Sequence, residues 1–175
     1  MVRIDFFDIE VSNRKNGTYK FNYVLDNDFF KLFENSLIEY GVLEVALEFV
    51  KKNKILKFIY TIKGEIELVC DRCLETFMHP IDIKNIQYVK IGEEYKEVDE
   101  RTIIIPSTWE KVNVAQWLYE DAALTIPYRK VHPLDEEGKS KCNVEMLKIL
   151  DNYLVKDAEV MQEDPRWNKL KNLLK

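Results

Sequence analysis

The chain has 175 residues, 46% of them hydrophobic and 33% charged, which is enough for one domain with a true core and ordinary for a soluble globular protein. A formal net charge of -5 weighs against a protein whose main task is gripping phosphates, and moves the expectation toward a protein partner. With 5 Gly and 5 Pro, long flexible linkers are not expected; no apolar run of about 18 residues marks a membrane span, and three cysteines without an export signal fit a reducing cytoplasm better than a disulfide framework.

Val2 to Val11 reads as a first strand and Ser12 to Gly17 as a polar turn. Tyr19, Phe21, Tyr23 and Leu25 alternate and predict a second strand. Asp26 or Asn27 can cap a helix through Asn35, with Phe29, Phe33 and Leu37 on one face and Gly41 as its stop. Leu43 to Val50 and Ile55 to Ile62 alternate on either side of Lys52-Asn53-Lys54, which predicts a hairpin with one core face. The second of these strands continues through Gly64, a candidate bulge or bend, to Cys70.

Cys70-Asp71-Arg72-Cys73 follows that strand, and a further strand runs from Phe77 to Ile91. Two cysteines separated by two residues at a turn between strands can point both sulfurs at one place, as half of a structural zinc site does. The apolar positions change parity near Asn85, from Ile81 and Ile83 to Ile86 and Tyr88, and a β-bulge there accounts for the change. Gly92 to Arg101 is acidic: either a solvated loop or a partner-facing, cation-attracting surface. Thr102 to Ile105 is a short strand stopped by Pro106.

Asn113 opens a helix in which Gln116 can complete a capping box, Val114, Trp117, Leu118 and Ala122 share a face, Asp121 interrupts that face, and Pro127 ends the element. Tyr128 to Cys142 is irregular. Val144 to Leu154 has helical spacing, and Asp164-Pro165 opens a last helix with Trp167, Leu170 and Leu174 as its stripe. No internal repeat is visible. The sum is an α+β protein: a curved antiparallel sheet, which bulged hairpins can curl into a partly closed barrel, followed by C-terminal helices.

Three stretches carry a resemblance. They are Cys70-Asp71-Arg72-Cys73-Leu74, the helix from Val112-Asn113-Val114 to Leu124-Thr125-Ile126-Pro127, and Asp164-Pro165-Arg166-Trp167 through Leu170. In that order and spacing the chain resembles the YceD-like family, the large ribosomal RNA subunit accumulation proteins, as a single domain over residues 1–175 with its signature strongest over 43–175. The resemblance implies a non-enzymatic factor supporting accumulation of 23S ribosomal RNA and biogenesis of the large subunit. Its partners would be ribosomal RNA, a large-subunit ribosomal protein or a processing protein, with no membrane involved. Many members of the family resemble a four-cysteine protein. This chain departs there: His132 stands where the first cysteine of the second cluster is expected, and Cys142 is the only cysteine near the rest.

Cys70, Cys73, His132 and Cys142 are thus the candidate zinc ligands, since imidazole nitrogen and thiolate sulfur both bind this metal. The competing reading is three free thiols and a surface histidine. Two thiol chemistries also remain open. A redox Cys-x-x-Cys wants a helix N-terminus rather than antiparallel flanks, and a Cys–His nucleophile would need His79 or His132 beside a thiolate. The chain has no phosphate-cradling glycine motif. Lys51, Lys52, Lys54 and Lys57 cluster at the hairpin tip, either as a solvated end or as candidate phosphate contacts. Arg129, Lys130, Lys139 and Lys141 form a second basic group beside the candidate ligands. The alternative to the ribosomal reading is a zinc-stabilised protein–protein adaptor that does not act on RNA directly.

Overall fold

The computed structural model describes residues 3–154, so the helix expected after Asp164 lies outside the described residues. Six strands form the main sheet: β2 (Gly17–Leu25), β3 (Gly41–Lys52), β4 (Ile55–Val69), β5 (Thr76–Gly92), β6 (Lys96–Asp99) and β7 (Thr102–Pro106). Their spatial order is β2-β3-β4-β5-β7-β6, and β1 (Asp8–Glu10) pairs separately with β8 (Lys111–Asn113). The helices are α1 (Asn27–Phe30), α2 (Ala115–Leu124) and α3 (Val144–Tyr153). The expected first strand is shorter than its composition implies, because Ile4–Phe7 forms a 3-10 turn before β1.

The alternation read from the sequence sets the register. In β3 and β4, Leu43, Val45, Leu47 and Phe49 face the core with Leu56, Phe58, Tyr60 and Ile62. Phe49 stacks on Phe58 at 4.8 Å, and Phe58 meets Trp117 of α2 edge-on at 5.6 Å, which fixes the helix against the inner face. Asn53, at φ 52°, takes the left-handed turn position between β3 and β4.

Several expectations are corrected. The sheet is open and does not curl into a partly closed barrel. Closure needs the two edge strands to hydrogen-bond; instead β6 is four residues long, exposed and charged, an edge blunted against further pairing. The two bulges that would have curled the sheet are also missing. Pairing of β4 with β5 is unbroken from Ile55↔Lys90 to Val69↔Thr76, so β5 keeps its parity through Asn85, and Asn85 and Gln87 take inward positions while Ile86 and Tyr88 face outward. Gly64 stays in register opposite Leu43; its role is close approach to a neighbouring strand. The sheet is not wholly antiparallel, because β7 lies parallel to β5.

The helix starts differ in detail too. Asp26 caps α1 through both Asp28 N and Phe29 N, but the helix ends after one turn, and Asn35 at φ 57° leads the chain away. Gly41, expected as a helix stop, opens β3. Asn113 accepts from Ala115 N at 3.0 Å without a reciprocal bond from Gln116, which instead donates to Glu120 at 2.6 Å. Part of the expected acidic loop is strand, as β6.

The inner face also buries two phenols. Burial pushes Tyr23 up to about 12, the Arg14 charge opposing. Burial and the Asp121 carboxylate push Tyr60 higher still. Both values are raised, so their contribution to stability is complete below the ordinary tyrosine value of 10 and is lost above it, where unfolded phenols ionise and the folded ones resist. The protein should therefore lose stability steeply as pH rises from about 10 toward 12, and Tyr60→Phe should flatten that loss. Thermal melts across alkaline pH, with phenolate absorbance followed in parallel, check this. Equal alkaline loss in the variant would exclude Tyr60 as its source.

Candidate metal centre

The turn joining β4 to β5 is built to hold sulfur. Cys70 N donates to Glu75 O and Leu74 N to Cys70 O, each at 2.9 Å, and Leu74 adopts φ 60°, a left-handed conformation rare outside glycine and asparagine. The segment after α2 is tied to this turn by a reciprocal pair: Asp71 N donates to Lys130 O and Lys130 N to the Asp71 carboxylate, both at 2.7 Å. Asn143 adds a bond to Glu75 at 2.7 Å and also caps α3 through Glu145 N and Met146 N. In consequence the two halves of the candidate ligand set meet, although His132 lies 59 residues beyond Cys73 and Cys142 lies 72 beyond Cys70.

All four side chains converge. Cys70 Sγ and Cys142 Sγ are 3.7 Å apart, Cys73 Sγ and His132 Nδ1 are 3.4 Å apart, and every ligand atom lies within 4.8 Å of the others. Zinc–sulfur bonds of about 2.3 Å and zinc–nitrogen bonds of about 2.0 Å at tetrahedral angles give edges of roughly 3.7 Å and 3.5 Å. The two short separations are of that size, and the donor set of three sulfurs and one imidazole is a common zinc set. Cys70, Cys73 and Cys142 are buried, at 0%, 2% and 4% exposure, among Phe77, Val131, Met146 and Leu147. The His132 ring leans on Phe77 at 5.0 Å, which orients Nδ1 toward Cys73.

The electrostatics suit a thiolate. Burial opposes ionisation of Cys70, but backbone N–H groups of Cys73, Arg72 and His132, with the His132 side chain, outweigh it and bring the thiol down to about 6. Cys142 is raised instead, by burial and by the neighbouring Cys70 and Cys73, with Ser140 opposing. A thiolate nucleophile needs access for its substrate; Cys73 touches His132 at nucleophile–base distance but is only 2% exposed, an arrangement suited to ligation rather than attack. The other histidine considered, His79, sits within β5 opposite Ile66.

The lysines are dispersed. Lys51 points to the inner side, where its ammonium bonds the carbonyls of Val11 and Ser12. Lys52 and Lys54 are exposed at the hairpin tip, and Lys57 lies over the Tyr88 ring at 5.7 Å on the outer face. Lys90 joins them, since Ile55 pairs with both Lys52 and Lys90. That neighbour was not singled out from the sequence, because only the β4–β5 register reveals it. In the second basic group, Lys130 lies 4.0 Å from Asp71 and Lys139 pairs with Glu137 at 2.6 Å.

Among the described residues no helix is long and apolar enough to cross a membrane. No curated protein and no solved structure matches the chain. Residues 59–174 do match one family, described as large ribosomal RNA subunit accumulation protein YceD. The matched stretch starts within β4, later than the Leu43 expected from the motifs, and it contains the Cys-x-x-Cys turn, α2, His132 and Cys142. Because it takes in about two thirds of the chain, the protein belongs to the YceD family of large ribosomal RNA subunit accumulation proteins.

Proposed function

We propose that this protein is a non-enzymatic cytoplasmic factor supporting accumulation of 23S ribosomal RNA and assembly of the large ribosomal subunit, acting on ribosomal RNA, a large-subunit ribosomal protein or a processing protein. The observation that carries this reading is the family match over residues 59–174. Zinc, held by Cys70, Cys73, His132 and Cys142, would supply a cross-link and no reaction chemistry. The chain's own residues do the positioning: the Asp71–Lys130 pair brings the ligand halves together, and Phe77 with Met146 and Leu147 shields them from water. Exposed Lys52, Lys54 and Lys90, with half-buried Lys57, are the groups available for phosphate contact; Lys51 is engaged internally.

The adaptor reading that excludes RNA is not favoured, because the matching family is described by its effect on ribosomal RNA. The deciding experiment is depletion of the protein in its own cell, with 23S and 16S ribosomal RNA measured as growth continues. A selective early fall of 23S relative to 16S, with precursors accumulating, is expected. An unchanged ratio at confirmed depletion would refute the reading.

A further inference from the structure

A second site lies at the other end of α2. A cavity of about 320 Å³ opens between the inner face of the sheet, β6 and α2. Its floor is polar because β5 keeps its parity and turns Asn85 and Gln87 inward. Asp121, which breaks the apolar face of α2, projects onto that floor. It accepts from Tyr60 Oη at 2.6 Å and from Asn85 Nδ2 at 2.9 and 3.0 Å, so its carboxylate is fixed in place.

Gln87 lines the same cavity. It is 7% exposed, and among the described residues its side-chain amide makes no hydrogen bond. Among the described residues no buried side-chain nitrogen or oxygen lacks a partner, so the unbonded Gln87 amide reaches the cavity space and stands ready for an entering donor. The surroundings are strongly negative. Glu97, Asp99, Glu100 and Glu120 also line the cavity, and among the described residues neither these four nor Asp121 has a cationic side chain within 4.0 Å. Arg101, on the adjoining turn, is exposed and does not line it, although its charge reaches Tyr60 on the floor. Trp117 and Tyr95 supply aromatic wall.

Two features choose the ligand. The carboxylates do not converge as the cysteine and histidine atoms do; the only metal-sized cluster among the described residues is the Cys/His set. The acceptors are instead spread over two strands and a helix beside an indole. That layout suits a flat cation with several diverging donors and a face that stacks, which describes guanidinium and not a compact ammonium or a metal ion.

We propose that this cavity receives the guanidinium of an arginine side chain presented by a basic polypeptide partner. Asp121 and Glu120 take its charge, the Gln87 amide oxygen accepts one N–H, and Trp117 covers its face. The inference does not depend on the ribosomal reading, since it rests on the cavity alone.

The test is a titration of the full-length protein, followed by the NMR resonances of the Gln87 side-chain amide and the Trp117 indole. The probes are a short alanine peptide with one arginine, the same peptide with neutral citrulline in its place, and magnesium chloride alone. Saturable shifts with the arginine peptide only are expected. Gln87→Leu should weaken that binding about tenfold or more, the loss for one hydrogen bond to a charged group, and Glu120→Gln, at an exposed position, should weaken it while leaving the fold intact. An equal response to citrulline or to magnesium, no response at all, or unchanged affinity in Glu120→Gln would overturn the proposal, whether or not Gln87→Leu folds.

Discussion

Removing the metal with a strong chelator, or replacing Cys73 with serine, should lower the first melting transition by roughly 10 °C and free the segment that follows α2. The magnitude comes from the cross-link. Zinc at this site would join residues 72 apart, and closing a loop of that size is worth about 4 kcal/mol. At about 2–4 °C per kcal/mol for a chain of this length the shift follows. The loss should be local at first, because the main core of β3, β4 and α2 holds none of the ligands. Amide exchange at Asp71 and Lys130, whose N–H groups bind across the two segments, should accelerate before strand signals change. Metal analysis of protein purified without chelator should return one zinc per chain. Metal-free protein with wild-type melting, and a Cys73→Ser variant that matches it, would leave the cysteines as buried thiols with no ligand role.

Gly64→Ala should be the most damaging methyl in the sheet. Gly64 has φ 147°, and a Cβ there would sit 2.1 Å from the Val42 carbonyl oxygen and 3.0 Å from Leu43 Cα. Both contacts are backbone of β3, so no side chain can swing aside; β3 and β4 must part or β4 must twist. A cost of about 3–5 kcal/mol is expected, at the top of the range for single substitutions, and it should appear as insoluble protein or a melting point lowered by about 10 °C or more. Gly138→Ala is the control. Its φ of 78° also disfavours a side chain, but nothing lies within 4 Å of the added carbon, so only the local strain of about 1 kcal/mol remains. Similar melting of the two variants would mean that the crowding at Gly64 is relieved cheaply.

Local chemistry was legible in the sequence, and pairings between distant segments were not. The alternation of Leu43 to Ile62 gave the β3–β4 hairpin and its core face because a period of two leaves one choice of side. The same rule misled at Asn85, where outward-facing Ile86 and Tyr88 imitate a change of parity; the inward polar pair serves the cavity, and hydrophobicity cannot report a polar interior. The parallel placement of β7 between β5 and β6 has no local signal at all. Of the candidate ligands, the Cys70–Cys73 turn was readable from its spacing. His132 and Cys142 stood out as soft ligands near each other, yet nothing in the intervening residues tells that Asp71 and Lys130 bring them to the turn. Lys51 shows a related gap: a lysine at a hairpin end reads as solvated until the carbonyls of Val11 and Ser12 are found beside it.

β4 runs for 15 residues without interruption, with the lysine-bearing tip at its start and the cysteine turn just past its finish. At about 3.3 Å per residue that is a contour of roughly 50 Å. The strand is a ruler that holds its two ends apart. A change at one end, such as Cys73→Ser at the turn, should therefore leave the backbone of the hairpin tip at the other undisturbed.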